Sequence, residues 1–257
     1  MFNLEIFDIK LETDLVGRNF IYCDEIESTN TELLSDKQLY KKNGTVFLAE
    51  KQISGKGRKD RIWQSAKGLN LTFSILLTKE TVSELNINHI NLIASLAVSM
   101  AIENLYQLKT ELKWPNDVLI ERKKVAGILI ESSIKGKSVE RVVIGIGINL
   151  NQIAFHGDFN LPPTSIKLEL GTDIHRENTL AEILNQFEEL LTELDTKPGS
   201  ILKDWRNRCN MIGDKITITE NEQVKSGIFH DIDDNGYLLL KKNNTIEKIH
   251  FGDVSFS

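Results

Sequence analysis

Two cysteines in 257 residues, Cys23 and Cys209, are too few for a disulfide framework. A chain of this length can bury a core without such staples. Four prolines leave no Pro-rich linker. No apolar run approaches the roughly 20 residues that span a bilayer. The N-terminal MFNLEIFDIKLETD mixes acids among its apolar residues and lacks a basic start, so it does not read as a signal peptide. The expected setting is therefore the cytoplasm, with no membrane partner. Five histidines stand singly, and with two cysteines they build no zinc site. Neither G-x-x-x-x-G-K-[ST] nor G-x-S-x-G occurs, so neither a P-loop nor a nucleophile elbow is expected. The net charge of −6 lacks the basic balance of most duplex-binding proteins. Against that acidic background a local basic cluster is informative.

Periodicity divides the chain into a mixed α+β part, residues 1–208, and a small β-barrel, residues 209–257. The first segment alternates roughly as a strand, and Phe20–Ile26, Thr45–Glu50, Leu69–Leu77 and Val142–Asn149 read as strands. Val118–Glu121 and Val125–Glu131 form a hairpin turning at Arg122–Lys123. Ser28–Leu39, His89–Leu108 and Thr179–Leu194 read as helices, with Thr29–Glu32 and Thr179–Glu182 as capping boxes. From about Met211 strand-like pieces (KITIT, VKSGIFHDI, YLLLKK, IEKIHF) follow one another without helices, which suggests a barrel.

The segment Lys51–Arg61 carries five basic residues and one acid, with Gly55 and Gly57 among them. Glycines let backbone N–H groups approach an anion, and arginine matches phosphate oxygens with a forked donor. Trp63 follows, able to stack on a flat ring. A solvated basic loop between two strands would show the same charge, and a nucleic-acid patch suits so short a cluster less well. Lys113 ends an otherwise apolar strand in Lys113-Trp114-Pro115-Asn116-Asp117, where a lone ammonium needs an anion. Such a pair gains about 4 kcal/mol at ~4 Å and an effective dielectric near 20, before desolvation. Gly145 and Gly147 fall on one strand face, with Asn149 on the same parity; Leu150 stands where a dinucleotide fingerprint needs its third glycine.

Gly55-Lys56-Gly57-Arg58-Lys59-Asp60-Arg61-Ile62-Trp63 resembles the G-R-G-R-x-x-R-x-W signature of biotin protein ligases. Further matches stand with it in family order: Ser28-Thr29-Asn30 for S-T-N, Lys113–Asp117 for K-W-P-N-D, Lys124–Leu129 for K-x-x-G-I-L and Gly145–Asn149 for G-x-G-x-N. The resemblance spans most of the chain. It implies a catalytic fold like that of class II aminoacyl-tRNA synthetases, with an SH3-like C-terminal barrel. It implies a reaction in which biotin and ATP form biotinyl-5′-AMP, and biotin then passes to a lysine of a biotin carboxyl carrier protein.

Residue roles follow from the same resemblance. Ser28, Thr29, Asn30 and Gln52 line the biotin pocket, together with Gly55, Lys56, Gly57 and Arg58. Lys124 meets the biotin carboxylate and the α-phosphate, and Gly127 lets the ligand lie on bare backbone. Lys113, Arg58 and Lys124 are the catalytic cations. Arg58, Arg61, Trp63, Lys113 and Asn149 serve ATP, and Asp117 orients Lys113 or holds Mg²⁺. Two residues depart from the family pattern: Lys56 replaces an arginine and Asp60 a glycine. A lipoate ligase or octanoyltransferase is the nearest rival, and a non-catalytic binding module a more distant one. No A-M-K-M acceptor pattern occurs, so the carrier is expected to be another protein. Some 27 residues before the first motif are too few for a helix-turn-helix, so a ligase without repressor function is expected, as a monomer or weak homodimer.

Overall fold

A computed structural model describes residues 2–35, 42–82, 85–136, 138–220 and 223–256. Side chains alternate along a strand, and that alternation gives the main sheet two unlike faces. Its strands are β1 (Phe20–Ile26), β2 (Val46–Gln52), β3 (Leu71–Thr78), β4 (Glu111–Lys113), β5 (Asp117–Ile120), β6 (Lys123–Lys135) and β7 (Ser138–Ile148). They lie in the order β1-β2-β3-β7-β6-β5-β4, with β1 and β2 parallel and the other neighbours antiparallel. The helices among the described residues are α1 (Leu4–Lys10), α2 (Thr29–Leu34), α3 (Lys79–Val82), α4 (Ile87–Tyr106), α5 (Ile166–Leu170), α6 (Arg176–Thr196) and α7 (Pro198–Arg208).

One face of the sheet, with Phe73, Ile75, Ile128, Ile144 and Ile146, belongs to the main core that also holds α4 and α6. On the other face α2 packs Leu33 against Phe47, Leu76 and Val143. Farther along that face the residues turn small and polar. Register aligns Ser74, Gly145 and Leu129 in one row across three strands, and Thr72, Gly147 and Gly127 in the next. The functional cavity opens over these rows.

The C-terminal strands β8 (Lys215–Glu220), β9 (Gln223–Ile232), β10 (Leu238–Lys242), β11 (Thr245–Ile249) and β12 (Asp253–Phe256) form an antiparallel sheet in the order β11-β10-β9-β8-β12. It is a small barrel left open between β11 and β12. Phe229, Leu238 and Leu240 join the same core as Trp205 of α7 and Leu92 of α4, so the hydrophobic interior runs through both parts of the chain. At the seam the Trp114 indole N–H donates to Gly236 O at 3.1 Å.

Several sequence expectations need correction. The first segment is α1, not a strand, because the Asn3 side chain accepts the N–H groups of Glu5 and Ile6 and starts a helix. The helix expected over Ser28–Leu39 ends at Leu34, and residues 36–41 lie outside the described part. Ser28, not Thr29, holds its cap position, with no side-chain cap bond, and the Thr29 hydroxyl turns to Ser74. Thr179 lies inside α6, where its hydroxyl donates to His175 O. The β5–β6 turn falls at Glu121–Arg122, one residue earlier than expected; both have positive φ, as a tight hairpin turn requires. Neither α7 nor β12 was foreseen.

Candidate active site

A cavity of about 1030 Å³ lies over the small-residue rows of β3, β6 and β7, between α2, the basic loop and the edge of β12. At its deep end the Asn30 carboxamide rests on Gly145, where a Cβ would collide with it. Asn30 Nδ2 donates to Glu131 Oε2 at 2.9 Å and to Leu129 O at 3.3 Å, while its Oδ1 accepts from Ser74 Oγ at 2.5 Å. Thr29 Oγ1 lies 2.6 Å from Ser74 Oγ, and the Thr29 N–H donates to Gln52 Oε1 at 2.7 Å. Thr29, Asn30 and Gln52, which line this end, are neutral and hydrogen-bonding, with the Glu131 carboxylate behind Asn30.

Farther along the cavity the chemistry becomes cationic. Asp117, at the start of β5, puts Oδ1 2.6 Å from Lys124 Nζ and Oδ2 3.6 Å from Lys113 Nζ. Burial works to raise the Asp117 pKa, but Lys124, Lys113 and Arg58 outweigh it and hold the carboxyl below its ordinary value. Burial pushes the Lys113 ammonium down, against the pull of Asp117. This is the expected surrounding of a lysine that waits for an anion: desolvated and only partly neutralised. The Trp63 indole lies against Gly147, where any Cβ would strike it, and Lys124 Nζ sits 5.6 Å from the ring centre. Two buried polar atoms on this wall lack a protein partner, the Trp63 Nε1 donor and the Asn149 Oδ1 acceptor. Buried polar groups are rarely left so, and a polar ligand is the natural partner for both.

The basic loop leaves β2 and returns to β3 as an irregular hairpin. Gly55 O accepts the Trp63 N–H at 2.9 Å and Gly57 donates to Arg61 O at 2.6 Å. The loop is tied to the barrel. Arg58 reaches Asp253 Oδ1 at 3.4 Å, Lys59 reaches Oδ2 at 3.5 Å, and Arg61 Nη2 donates to both oxygens at 2.9 Å. Arg58 also donates to Gly252 O and Asn116 Oδ1, and Lys59 to Thr219 O.

Residues 22–149 match the Biotin/lipoate A/B protein ligase family, and residues 211–257 match the Biotin protein ligase C terminal domain. The chain is 32% identical over 247 residues to the bifunctional ligase/repressor BirA of Bacillus subtilis, covering 95% of this chain and 76% of that protein. It is also 32% identical over 222 residues to the biotin–[acetyl-CoA-carboxylase] ligase of Paracoccus denitrificans, covering 84% of this chain and 91% of that one. The chain belongs to the biotin protein ligase family. Its fold agrees: the biotin protein ligase of Aquifex aeolicus, solved in complex with biotin and ATP, superposes with a TM-score of 0.81 at 27% identity. The match covers 93% of this chain and 99% of that one.

In this member of the ligase family, Ser28, Thr29, Asn30, Gln52, Lys56, Gly57, Arg58, Arg61, Trp63, Lys113, Asp117, Lys124, Gly127 and Asn149 all line the one cavity. Gly55 stands behind it and closes the loop. Lys56 reaches Glu131 Oε1 at 3.4 Å rather than the cationic wall. The side chain of Asp60 lies outside the described part. Of the two roles expected for Asp117, orienting Lys113 or holding Mg²⁺, the ion pairs fit the first, since both of its oxygens face lysine ammoniums. Asp117 is the counter-ion of the lysines.

Sequence reading missed Ser74, Glu131 and Asp253, and the segment Phe155–Pro163, which also lines the cavity. Apolar Ile153 and Phe159, 62% and 44% exposed in a long irregular stretch, were a signal for that segment. No local signal marks Asp253, which lies 192 residues from Arg61. No helix among the described residues is long and apolar enough to cross a membrane.

Proposed function

We propose that this chain is an ATP-dependent biotin protein ligase that acts through biotinyl-5′-AMP, with Arg58, Lys113 and Lys124 as its catalytic cations. The observation that carries this is the polarity of the cavity: a neutral hydrogen-bonding end at Thr29, Asn30 and Gln52, and a cationic wall at Arg58, Lys113 and Lys124. Biotin has that same polarity, a neutral ureido ring at one end and a carboxylate at the other.

In the first step a carboxylate oxygen of biotin attacks the α-phosphorus of ATP. A new O–P bond forms, the α–β bridging bond breaks, and pyrophosphate leaves. Both partners are anions, so their approach is unfavourable without cations. Lys113, Lys124 and Arg58 offset that repulsion and stabilise the charge that builds on phosphorus. Trp63 Nε1 and Asn149 Oδ1, without protein partners, serve the nucleotide, and Arg61 adds charge at the mouth. Divalent Mg²⁺ would supply charge neutralisation on the leaving phosphates, carried by them rather than by a protein cage. In the second step the neutral amine of an acceptor lysine attacks the acyl carbon. The amide forms, AMP leaves, and the amine loses a proton. The acceptor is a lysine of a biotin carboxyl carrier protein.

The test is direct. The chain is mixed with Mg-ATP and either biotin or lipoate, and pyrophosphate and acyl-AMP are measured. Release with biotin is expected; release with lipoate alone would overturn the reading.

A further inference from the structure

At the deep end three oxygen–oxygen contacts compete for two hydroxyl protons. The contacts are Thr29 Oγ1 to Gln52 Oε1 at 3.1 Å, Thr29 Oγ1 to Ser74 Oγ at 2.6 Å and Ser74 Oγ to Asn30 Oδ1 at 2.5 Å. Each hydroxyl has one proton to donate. The orientation of Asn30 decides the allocation. Its neighbours on one side are the Glu131 carboxylate and the Leu129 carbonyl, both acceptors, so Nδ2 must face them and Oδ1 must face Ser74. Ser74 then donates to Asn30 Oδ1, and Thr29 donates to Ser74. The longest of the three contacts is left without a proton, and Gln52 Oε1 takes the Thr29 backbone N–H instead.

We infer that Glu131 is a positioning residue that, through Asn30 and Ser74, fixes the proton direction of the pocket, so that it reads ring N–H donors. The chain runs Thr29 O–H to Ser74 O–H to Asn30 C=O, and its far end is anchored on a carboxylate that cannot donate. Thr29 Oγ1 and Asn30 Oδ1 therefore meet a ligand as acceptors. Gln52, with Oε1 held by Thr29, keeps Nε2 as a donor, and Ser28 also lines the cavity. Acceptors beside a donor match a cyclic urea, whose two N–H groups flank one carbonyl. The second Glu131 oxygen faces Lys56 at 3.4 Å, so the same carboxylate ties this end to the basic loop. The inference rests on the biotin reading above and adds the residues that set its polarity. Ser74 is fully buried and acts through Thr29 and Asn30.

The experiment compares biotin with a cyclic carbamate analogue in which one ring N–H is replaced by oxygen, in pyrophosphate–ATP exchange. With the unaltered chain the analogue should show a KM about 10- to 100-fold higher, because acceptor then faces acceptor. In Glu131→Gln the amide can donate as well as accept, so only the longer contact to Leu129 O at 3.3 Å still favours the original orientation, and Asn30 can turn over and the chain can reverse. The ratio of the two KM values should then fall by at least about threefold. A variant that merely loosened the pocket would weaken both ligands alike and leave that ratio in place. Ser74→Ala, which cuts the relay, should lower it in the same direction. A wild-type ratio in Glu131→Gln overturns the inference; if that variant does not fold, a wild-type ratio in Ser74→Ala does so. Failure of the unaltered chain to exchange with biotin would overturn the biotin reading, and this inference with it.

Discussion

Asp117 and Asp253 each gather several cations at the cavity, one from within the main sheet and the other from the barrel. Lys113 is buried and Asp117 nearly so, with side-chain exposures of 8% and 13%, while Lys124 at their side is 28% exposed. Asp253 is 27% exposed, and its partners Arg58, Lys59 and Arg61 are 21%, 40% and 47% exposed. The same chemistry therefore has different strength in the two places. Pairs held away from water interact through a low effective dielectric and are poorly screened, whereas pairs at the surface weaken within a Debye length of about 8 Å at 0.15 M salt. The inner group holds its charges in a largely desolvated arrangement. The exposed group holds a loop in place only as firmly as the salt around it allows.

Replacing the two carboxylates should break that comparison most visibly. Asp117→Asn leaves Lys113 and Lys124 without their counter-ion and should destabilise the fold by about 3–5 kcal/mol in denaturant unfolding. The sign with pH follows from its lowered pKa. Its stabilisation is present above the ordinary value of 3.8 and is lost as pH falls through the lower folded value, so the variant's acid limb should be flatter. A loss no larger than that of Asp253→Asn would remove the distinction.

Next in size is Lys113→Ala, which should slow adenylate formation about a hundredfold to a thousandfold in single-turnover assays. Because burial lowers the Lys113 pKa, kcat/KM for the unaltered chain should decline on the alkaline side below the ordinary lysine value of 10.5. An alkaline limb unchanged in Lys113→Ala would place that charge elsewhere. Arg58→Ala should weaken biotinyl-AMP binding by about 10- to 100-fold in equilibrium titration, and Lys56→Ala by no more than about threefold, since charge-assisted bonds to ligand differ from a side pair with Glu131. Equal losses would refute that ranking.

The smallest effect sharpens the exposed side. Asp253→Asn should change global stability by less than about 1 kcal/mol. It should nonetheless speed tryptic cleavage within Lys51–Arg61 at low salt, and that difference should vanish at high salt. Cleavage that is equally slow in both chains would mean that Asp253 does not hold the loop.

What was legible in advance lay close together along the chain. Phe20–Ile26 reads as a strand and is one, and α4 and α6 were found within three residues at either end by their apolar stripes. The basic glycine loop and Lys113 stood out as charges against an acidic or apolar background. Thr29 was harder. Its type suits a helix cap, and nothing local reveals that its hydroxyl belongs to Ser74, 45 residues on. Asn3 hid a helix within a segment that alternates loosely, because a cap acts on backbone N–H groups that apolar spacing does not record.

Composition and motif order, by themselves, indicated the local features: the basic glycine loop, the apolar helices and the small glycine face of β7. Local patterns can do this because strand alternation, helical spacing and charge are properties of neighbouring residues. Tertiary structure alone decided the directions and strengths. It set Glu131 against Asn30, Asp117 between two lysines, and Asp253 against a loop far away in sequence. Proton direction and charge strength depend on what stands across a gap and on how much water remains in it, and only the folded chain fixes either.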